Sequence, residues 1–295
     1  MSPLKLPQEY KYIAAFLTMR CNLNCSFCLN AFDKQFDRKG FNEVSGEEWV
    51  EGLNRIESTG NVPITFCGGE PFMHKDFIYI INNLKPGLKA DILTNLQWGK
   101  KGLEKFIADV EPAKLRQKKD SPYASIRVSY HPEQMGKGER LVENVKKMQD
   151  AGFYIGIWQV LHPSPESLES YTKMGFRCRD AKIDFRPKDY TGIYKDENYG
   201  DYSKYPKSAF QEETKHCKCK TSELLIAPNM EVYRCHRDLF AEENSIGNLS
   251  KPSSIPLNQF MHCNKYGQCH PCDVKDKTNN KQQIGHTSVE IRDLI

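Results

Sequence analysis

Eleven cysteines stand in this 295-residue chain, and they are unevenly placed. Cys21, Cys25 and Cys28 form a tight Cys-x3-Cys-x2-Cys loop, six more run from Cys217 to Cys272, and Cys67 and Cys178 stand apart. Three thiolates so spaced can hold three irons of a cubane iron–sulfur cluster and leave the fourth iron without a protein ligand. An open iron is a place where a small chelating molecule can bind and react. The competing use is a structural zinc site, but zinc usually takes four protein ligands in paired Cys-x2-Cys elements, and this loop offers three. The opening segment, Met1-Ser-Pro-Leu-Lys-Leu-Pro7, has no apolar run of the signal-peptide kind, so a cytoplasmic location is expected. In a reducing compartment many cysteines read as metal ligands or reactive thiols rather than disulfides.

The second group reads His216-Cys217-Lys-Cys219, Cys235-His236 and Cys263-x5-Cys269-x2-Cys272. Two groups of ligands point to two metal sites. A zinc ribbon built from Cys217 or Cys219, Cys235 and the Cys269/Cys272 pair, with His216, His236 or His270, competes here with an iron–sulfur cluster.

The elements that must position these residues alternate between strand and helix. Tyr12–Thr18 is an apolar strand running into the first cysteine; Ser45-Gly-Glu-Glu opens a helix to about Ser58; Pro63–Cys67 is a strand and Lys75–Leu84 a helix. The alternation continues with strands at Ala90–Thr94, Ser125–Tyr130, Phe153–Leu161 and Lys182–Arg186. Helices are expected over Lys100–Val110, Glu139–Ala151 and Ser164–Met174. Six such units imply parallel strands with right-handed helical crossovers, an α/β fold of the open, partial (β/α)6 TIM-barrel type. In such sheets the chemistry gathers at the carboxyl ends of the strands. There lie the Cys21 loop, Gly68-Gly69-Glu70, Thr94-Asn95 and Ser129-Tyr130-His131. The expected organisation is a core over residues 1–190, a polar Tyr-rich linker over 191–215, a small cysteine-rich domain over 216–275 and a tail over 276–295. Glu223–Cys235 reads as a hairpin turning at Pro228-Asn229, and Thr287-Ser-Val-Glu290 as the cap of a short helix.

Cys21-Asn-Leu-Asn-Cys25-Ser-Phe-Cys28, followed by Cys67-Gly68-Gly69-Glu70-Pro71, resembles the radical S-adenosylmethionine (SAM) superfamily over roughly residues 10 to 190. The resemblance implies that Cys21, Cys25 and Cys28 bind a [4Fe–4S] cluster whose open iron is chelated by SAM. It implies a reductive cleavage of SAM to a 5′-deoxyadenosyl radical that abstracts hydrogen from a substrate. It places Phe27 by the adenine and Gly68, Gly69, Glu70 and Pro71 at the methionine amino group, with the Glu70 carboxylate accepting from that ammonium. Asn95 and Ser129 would contact the SAM carboxylate or ribose, or the substrate. The C-terminal group resembles the auxiliary-cluster domains named SPASM and Twitch, although Met230 stands where a glycine is usual. A second [4Fe–4S] cluster is implied, with Cys235, Cys269 and Cys272 as its firmest ligands and one of Cys217 and Cys219 completing the set; Cys263 is a further candidate. Such an enzyme would take electrons from a flavodoxin- or ferredoxin-type donor.

Other features bound the function. A net charge of +4 over 42 basic and 38 acidic side chains, with no like-charge run beyond Arg116-Gln-Lys-Lys119, gives no nucleic-acid signature, and no apolar stretch of membrane-spanning length occurs. Cys67 reads as a buried small hydrophobe and Cys178 as an exposed loop thiol. His131, His162 and Arg186 end strands and are candidates for substrate contact. The expected substrate is a small metabolite such as a sugar, cyclitol or nucleoside. A ribosomally made peptide is the alternative, and a non-catalytic iron–sulfur or zinc scaffold is the reading of another class.

Overall fold

The structure is a computed structural model describing residues 2–29, 40–58, 62–199, 202, 204–276 and 287–294. The chain runs β1 (Tyr12–Thr18), α1 (Gly46–Leu53), β2 (Ile64–Gly68), α2 (Phe77–Asn82), β3 (Ala90–Thr94), α3 (Gly99–Asp109), β4 (Ile126–Tyr130), α4 (Pro132–Met135), α5 (Glu139–Asp150), β5 (Ile155–Leu161), α6 (Pro165–Asp180) and β6 (Asp184–Asp189). These six strands lie parallel in sequence order, and among the described residues β6 pairs only with β5, which leaves the barrel open. The expected α/β partial barrel is therefore the observed fold.

The C-terminal third adds β7 (Lys215–Thr221), β8 (Glu223–Ile226), β9 (Glu231–Tyr233), α7 (His236–Ala241), β10 (Gly247–Asn248), β11 (Met261–Tyr266), α8 (Pro271–Val274) and β12 (Val289–Asp293). β8 docks parallel to β1, with Leu224 opposite Ile13 and Ile226 opposite Ala15, and β9 and β10 follow antiparallel. The main sheet thus runs on past residue 216. β7 sits between β11 and β12 in a separate antiparallel sheet.

Strand alternation sends the two faces of the main sheet into different packing layers. Ile13, Ala15 and Leu17 of β1 join Ile64, Phe66, Ile92, Ile126 and Ile157 against the helices, where Trp49, Phe77 and Phe106 are buried. Ala14, Phe16, Cys67 and Leu225 face the other way and are covered by Leu239 and Phe240 of α7. β1 is covered on both sides, which accounts for its unbroken apolar run. Among the described residues no helix is long and apolar enough to cross a membrane.

Three expectations change. The Ser45 capping box forms with Glu48, but α1 stops at Leu53 because Ile56–Glu57 pairs in parallel with Leu4–Lys5. α6 continues to Asp180 and carries Cys178, one turn after Met174, into the core with no exposure, so Cys178 is not an exposed loop thiol. Thr287–Glu290 leads into β12 rather than a helix, since Val289 and Ile291 alternate with Glu290 and Arg292 and pair with β7. Residues 277–286 of the expected tail, and 200, 201 and 203 of the expected linker, lie outside the described residues. Within that linker, Ile193–Tyr194 and Glu197–Asn198 form a small antiparallel pair.

Met230 follows the hairpin turn at φ 67°, the left-handed region that suits glycine, and its amide donates to Ala227 O at 2.9 Å. Its side chain is buried against Gly52 of α1, where a Cβ would have no room, and against Leu249. Burial offsets the backbone strain. Met230→Gly relieves about 1–2 kcal/mol of strain but forfeits about 2–5 kcal/mol of packing. A net loss of about 1–3 kcal/mol in urea unfolding is therefore expected.

Candidate metal and cofactor site

The Cys21–Cys28 loop leaves β1 at its carboxyl end. Cys21 is exposed and Cys25 and Cys28 are half-buried, with Cys28 N donating to Cys25 O at 3.3 Å. Cys21 Sγ already accepts from Leu23 N at 3.4 Å and Asn95 Nδ2 at 3.7 Å. Burial, and then the neighbouring Cys28, Glu133 and Cys21, push the Cys25 thiol up to about 12; Cys21 is raised too, again chiefly by burial. Thiols that oppose one another's ionisation form a donor set that a bound cation would deprotonate and stabilise. The set fits the three-thiolate face of a cubane cluster.

The glycine loop after β2 is shaped first by the chain itself. Gly69 N donates to Thr18 O and Glu70 N to Arg20 O, both at 2.8 Å. A Cβ on either Gly68 or Gly69 would collide with these backbone carbonyls, and Gly68 has φ 132°. Glu70, 1% exposed, turns inward. Its Oε1 accepts from Thr94 Oγ1 at 2.8 Å, Trp98 Nε1 at 2.9 Å and Phe72 N at 3.3 Å, and its Oε2 from Asn95 N at 2.7 Å. Desolvation by burial nevertheless holds its carboxyl above the ordinary value. With four donors in place, this carboxylate joins the loops after β2 and β3. Pro71 starts the 3-10 turn Pro71–Met73 and is buried. The Asn95 side chain, also expected at the ligand, donates to Asn22 Oδ1 at 2.8 Å, while Asn22 Nδ2 reaches Gln97 O at 2.8 Å.

Phe27 stacks on His162 at 5.7 Å, tilts on His131 at 5.6 Å and meets Tyr190 edge-on at 6.5 Å, so the loops after β1, β4, β5 and β6 converge on one ring. Ser129 is half-buried in β4 opposite Trp158 of β5. Arg186 is committed to Asp184, at 2.9 Å, and to Pro122 O, at 2.7 Å, and stacks on Tyr123. Burial, against the Glu133 charge, pushes the His131 imidazole down to about 4.

The C-terminal thiols assemble differently from the sequence expectation. Alternation along β7 puts Cys217 and Cys219 on one face, their sulfurs 3.5 Å apart, and Cys263 of β11 pairs directly with Cys217. All three sulfurs lie within 4.8 Å of one another and are buried. Both members of the Cys217/Cys219 pair thus stand in one buried group with Cys263. Cys263 accepts hydrogen bonds from the other two, which holds its thiol low, while Cys219 is driven up. Cys219, Cys235, Cys263 and Cys269 line one small cavity with Arg234 and Asp273. Cys272 is not in that lining: it lies within α8, near enough to Tyr12 and Tyr202 to raise both phenols, after the larger effect of their burial. Asp273 ties the parts together by accepting from His236 Nδ1 at 2.8 Å and His236 N at 3.1 Å. The Cys-Lys-Cys alternation was the available signal for a shared face; nothing local marked Arg234 or Asp273.

An open parallel sheet with a three-thiol loop at its carboxyl end defines an α/β partial barrel with a candidate iron–sulfur site. The Radical SAM superfamily profile matches residues 16–171, and the chain belongs to that superfamily. Over 90 residues it is 31% identical to a probable GTP 3′,8-cyclase of Methanopyrus kandleri, covering 30% of this chain and 28% of the relative. Over 81 residues it is 33% identical to an S-adenosylmethionine-dependent nucleotide dehydratase of Selenomonas ruminantium, covering 27% of each. The match therefore spans little more than a quarter of these curated relatives. The crystal structure of Streptococcus suis SuiB bound to S-adenosylmethionine resembles this fold with a TM-score of 0.53 at 15% identity, over 85% of this chain and 64% of that one. Membership of the family implies SAM and a [4Fe–4S] cluster.

Two outcomes follow from the geometry. Glu70→Gln sets an amide NH2 against resident donors, and a stability loss of about 1–3 kcal/mol in urea unfolding is expected. His131 stays neutral in the fold down to about pH 4, whereas an unfolded histidine takes its proton near 6.5. The fold therefore loses stability as pH falls from 6.5 toward 4. In the metal-free chain, His131→Gln should flatten the corresponding fall in Tm.

Proposed function

We propose that the chain is a SAM-cleaving radical enzyme acting on a small metabolite, with a second iron–sulfur cluster in the C-terminal region. The observation that carries this reading is the three-cysteine loop at the carboxyl end of β1, where Asn95 Nδ2 reaches Cys21 Sγ at 3.7 Å and Asn22 Oδ1 at 2.8 Å. When bound, the cluster and SAM supply a 5′-deoxyadenosyl radical that takes hydrogen from the substrate. The chain's own part is to position and to exclude water. Phe27, with His131 and His162 behind it, offers an aromatic face for a flat ring such as adenine. The glycine loop presents backbone next to the cysteines, and Ser129 lies near the end of β4 opposite Trp158. A nucleoside or nucleotide is the first substrate class to try, because the two relatives described above are named for nucleotide substrates. A ferredoxin- or flavodoxin-type protein would deliver the electron.

The second cluster is assigned to Cys219, Cys235, Cys263 and Cys269, which share one cavity beside Arg234. A guanidinium there would balance the charge of thiolate ligands. Its purpose would be to accept an electron or to anchor substrate.

Oxygen-free reconstitution followed by iron and sulfide counts tests both sites. About eight irons are expected in the parent and about four in a Cys21/Cys25/Cys28→Ala variant. Cys263→Ser should lose the second set while Cys272→Ser keeps it; the reverse pattern rejects the cavity assignment. With a strong reductant the parent should release 5′-deoxyadenosine, faster with a nucleotide substrate, and the triple variant none. SAM left intact by a fully loaded parent would sink the enzyme reading.

A further inference from the structure

The segment after β4 grips the Cys21–Cys28 loop at three successive points. His131 packs on Phe27 at 5.6 Å. Glu133 takes Ser26 with both oxygens: Oε1 accepts from Ser26 N at 2.7 Å and Oε2 from Ser26 Oγ at 2.9 Å. Gln134 accepts from Asn24 N at 3.5 Å and donates to Asn24 O at 3.3 Å. The gripped residues run 27, 26, 24 against 131, 133, 134, so two chain segments lie side by side in opposite directions, joined through side chains. Asn24 and Ser26 flank Cys25 directly. The loop around them carries no helix or strand, and backbone groups in such a loop need outside partners.

The gripping segment is itself anchored. Pro132 opens α4 at a position where its missing amide costs nothing. Tyr130 at the end of β4 donates to Gly136 O at 2.5 Å and lies 3.1 Å from Ser170 Oγ of α6. α4 is therefore fixed to the barrel, and a carboxylate on it is a charge at a fixed place.

An iron–sulfur cluster gains one negative charge on reduction, and its potential follows the charges and hydrogen bonds around it. We propose that Glu133 is a positioning residue of the cluster loop that also holds the cluster's reduction potential low: it anchors Ser26 beside Cys25 and sets a fixed negative charge there. The inference rests on the reading that Cys21, Cys25 and Cys28 carry the cluster. A low potential makes the reduced cluster a stronger one-electron donor and demands a strong reductant to load it. Neither Glu133 nor Gln134 is a metal ligand.

The two roles separate by substitution. Glu133→Gln can still accept from Ser26 N and donate to Ser26 Oγ, so the anchor remains and the charge goes. Glu133→Ala removes both. Full-length chains reconstituted without oxygen are titrated with reductant under electron paramagnetic resonance, and the relevant signal is the one missing from the Cys21/Cys25/Cys28→Ala variant. Glu133→Gln is expected to keep the parent's iron per chain and to show a midpoint potential shifted upward. Glu133→Ala is expected to load less iron at that loop, a loss that Glu133→Gln restores. A Glu133→Gln potential equal to or below the parent's overturns the inference, as does full loading of Glu133→Ala. Absence of that signal from the parent itself would reject the underlying reading and the inference with it.

Discussion

A single buried carboxylate organises the mouth of this barrel. Glu70 accepts four hydrogen bonds from the loops after β2 and β3, and it can do so only because Gly68 and Gly69 let the chain pass against the Thr18 and Arg20 carbonyls. A buried carboxylate without such donors would be costly. With them it locks the Asn95 backbone, and Asn95 in turn reaches Asn22 and Cys21. The position of the first cysteine thus descends, one hydrogen bond at a time, from an acid buried two loops away.

The other end of the same loop is held from a different direction. Glu133 and Gln134 close on Ser26 and Asn24, and Phe27 packs against His131, His162 and Tyr190. Every one of these partners stands after the carboxyl end of a parallel strand. That is the consequence of parallel pairing: all strand ends of one polarity open onto one rim, so distant loops meet there. The outward faces of the strands supply the core that keeps the rim in register.

The C-terminal thiols are tied into this body by β8, which extends the sheet next to β1, and by α7, whose Leu239 and Phe240 cover Phe16. Asp273 then joins the Cys235 turn to the Cys269–Cys272 segment through His236. The thiol-lined cavity is positioned by the core sheet as much as by its own small sheet.

The N-terminal cysteine loop was legible in the sequence because three cysteines close together in the chain are close together in space however the rest folds. The six β–α units were legible for a related reason: periods of two and of 3.6 are local properties. Cys178 and the β12 tail were misread where that same periodicity ran longer than expected, or changed kind. What local pattern does not carry is register between distant segments. Cys263 meets Cys217 only because β11 pairs with β7, and Glu133 meets Ser26 across 107 residues of chain. The inward turn of Glu70 was likewise decided by packing. The amino-acid sequence by itself determined which thiols and loops the chain possesses and the periodicities that make its strands and helices. The tertiary structure alone decided which of those side chains share a cavity, because long-range pairing follows from burial of whole faces rather than from any neighbour in sequence.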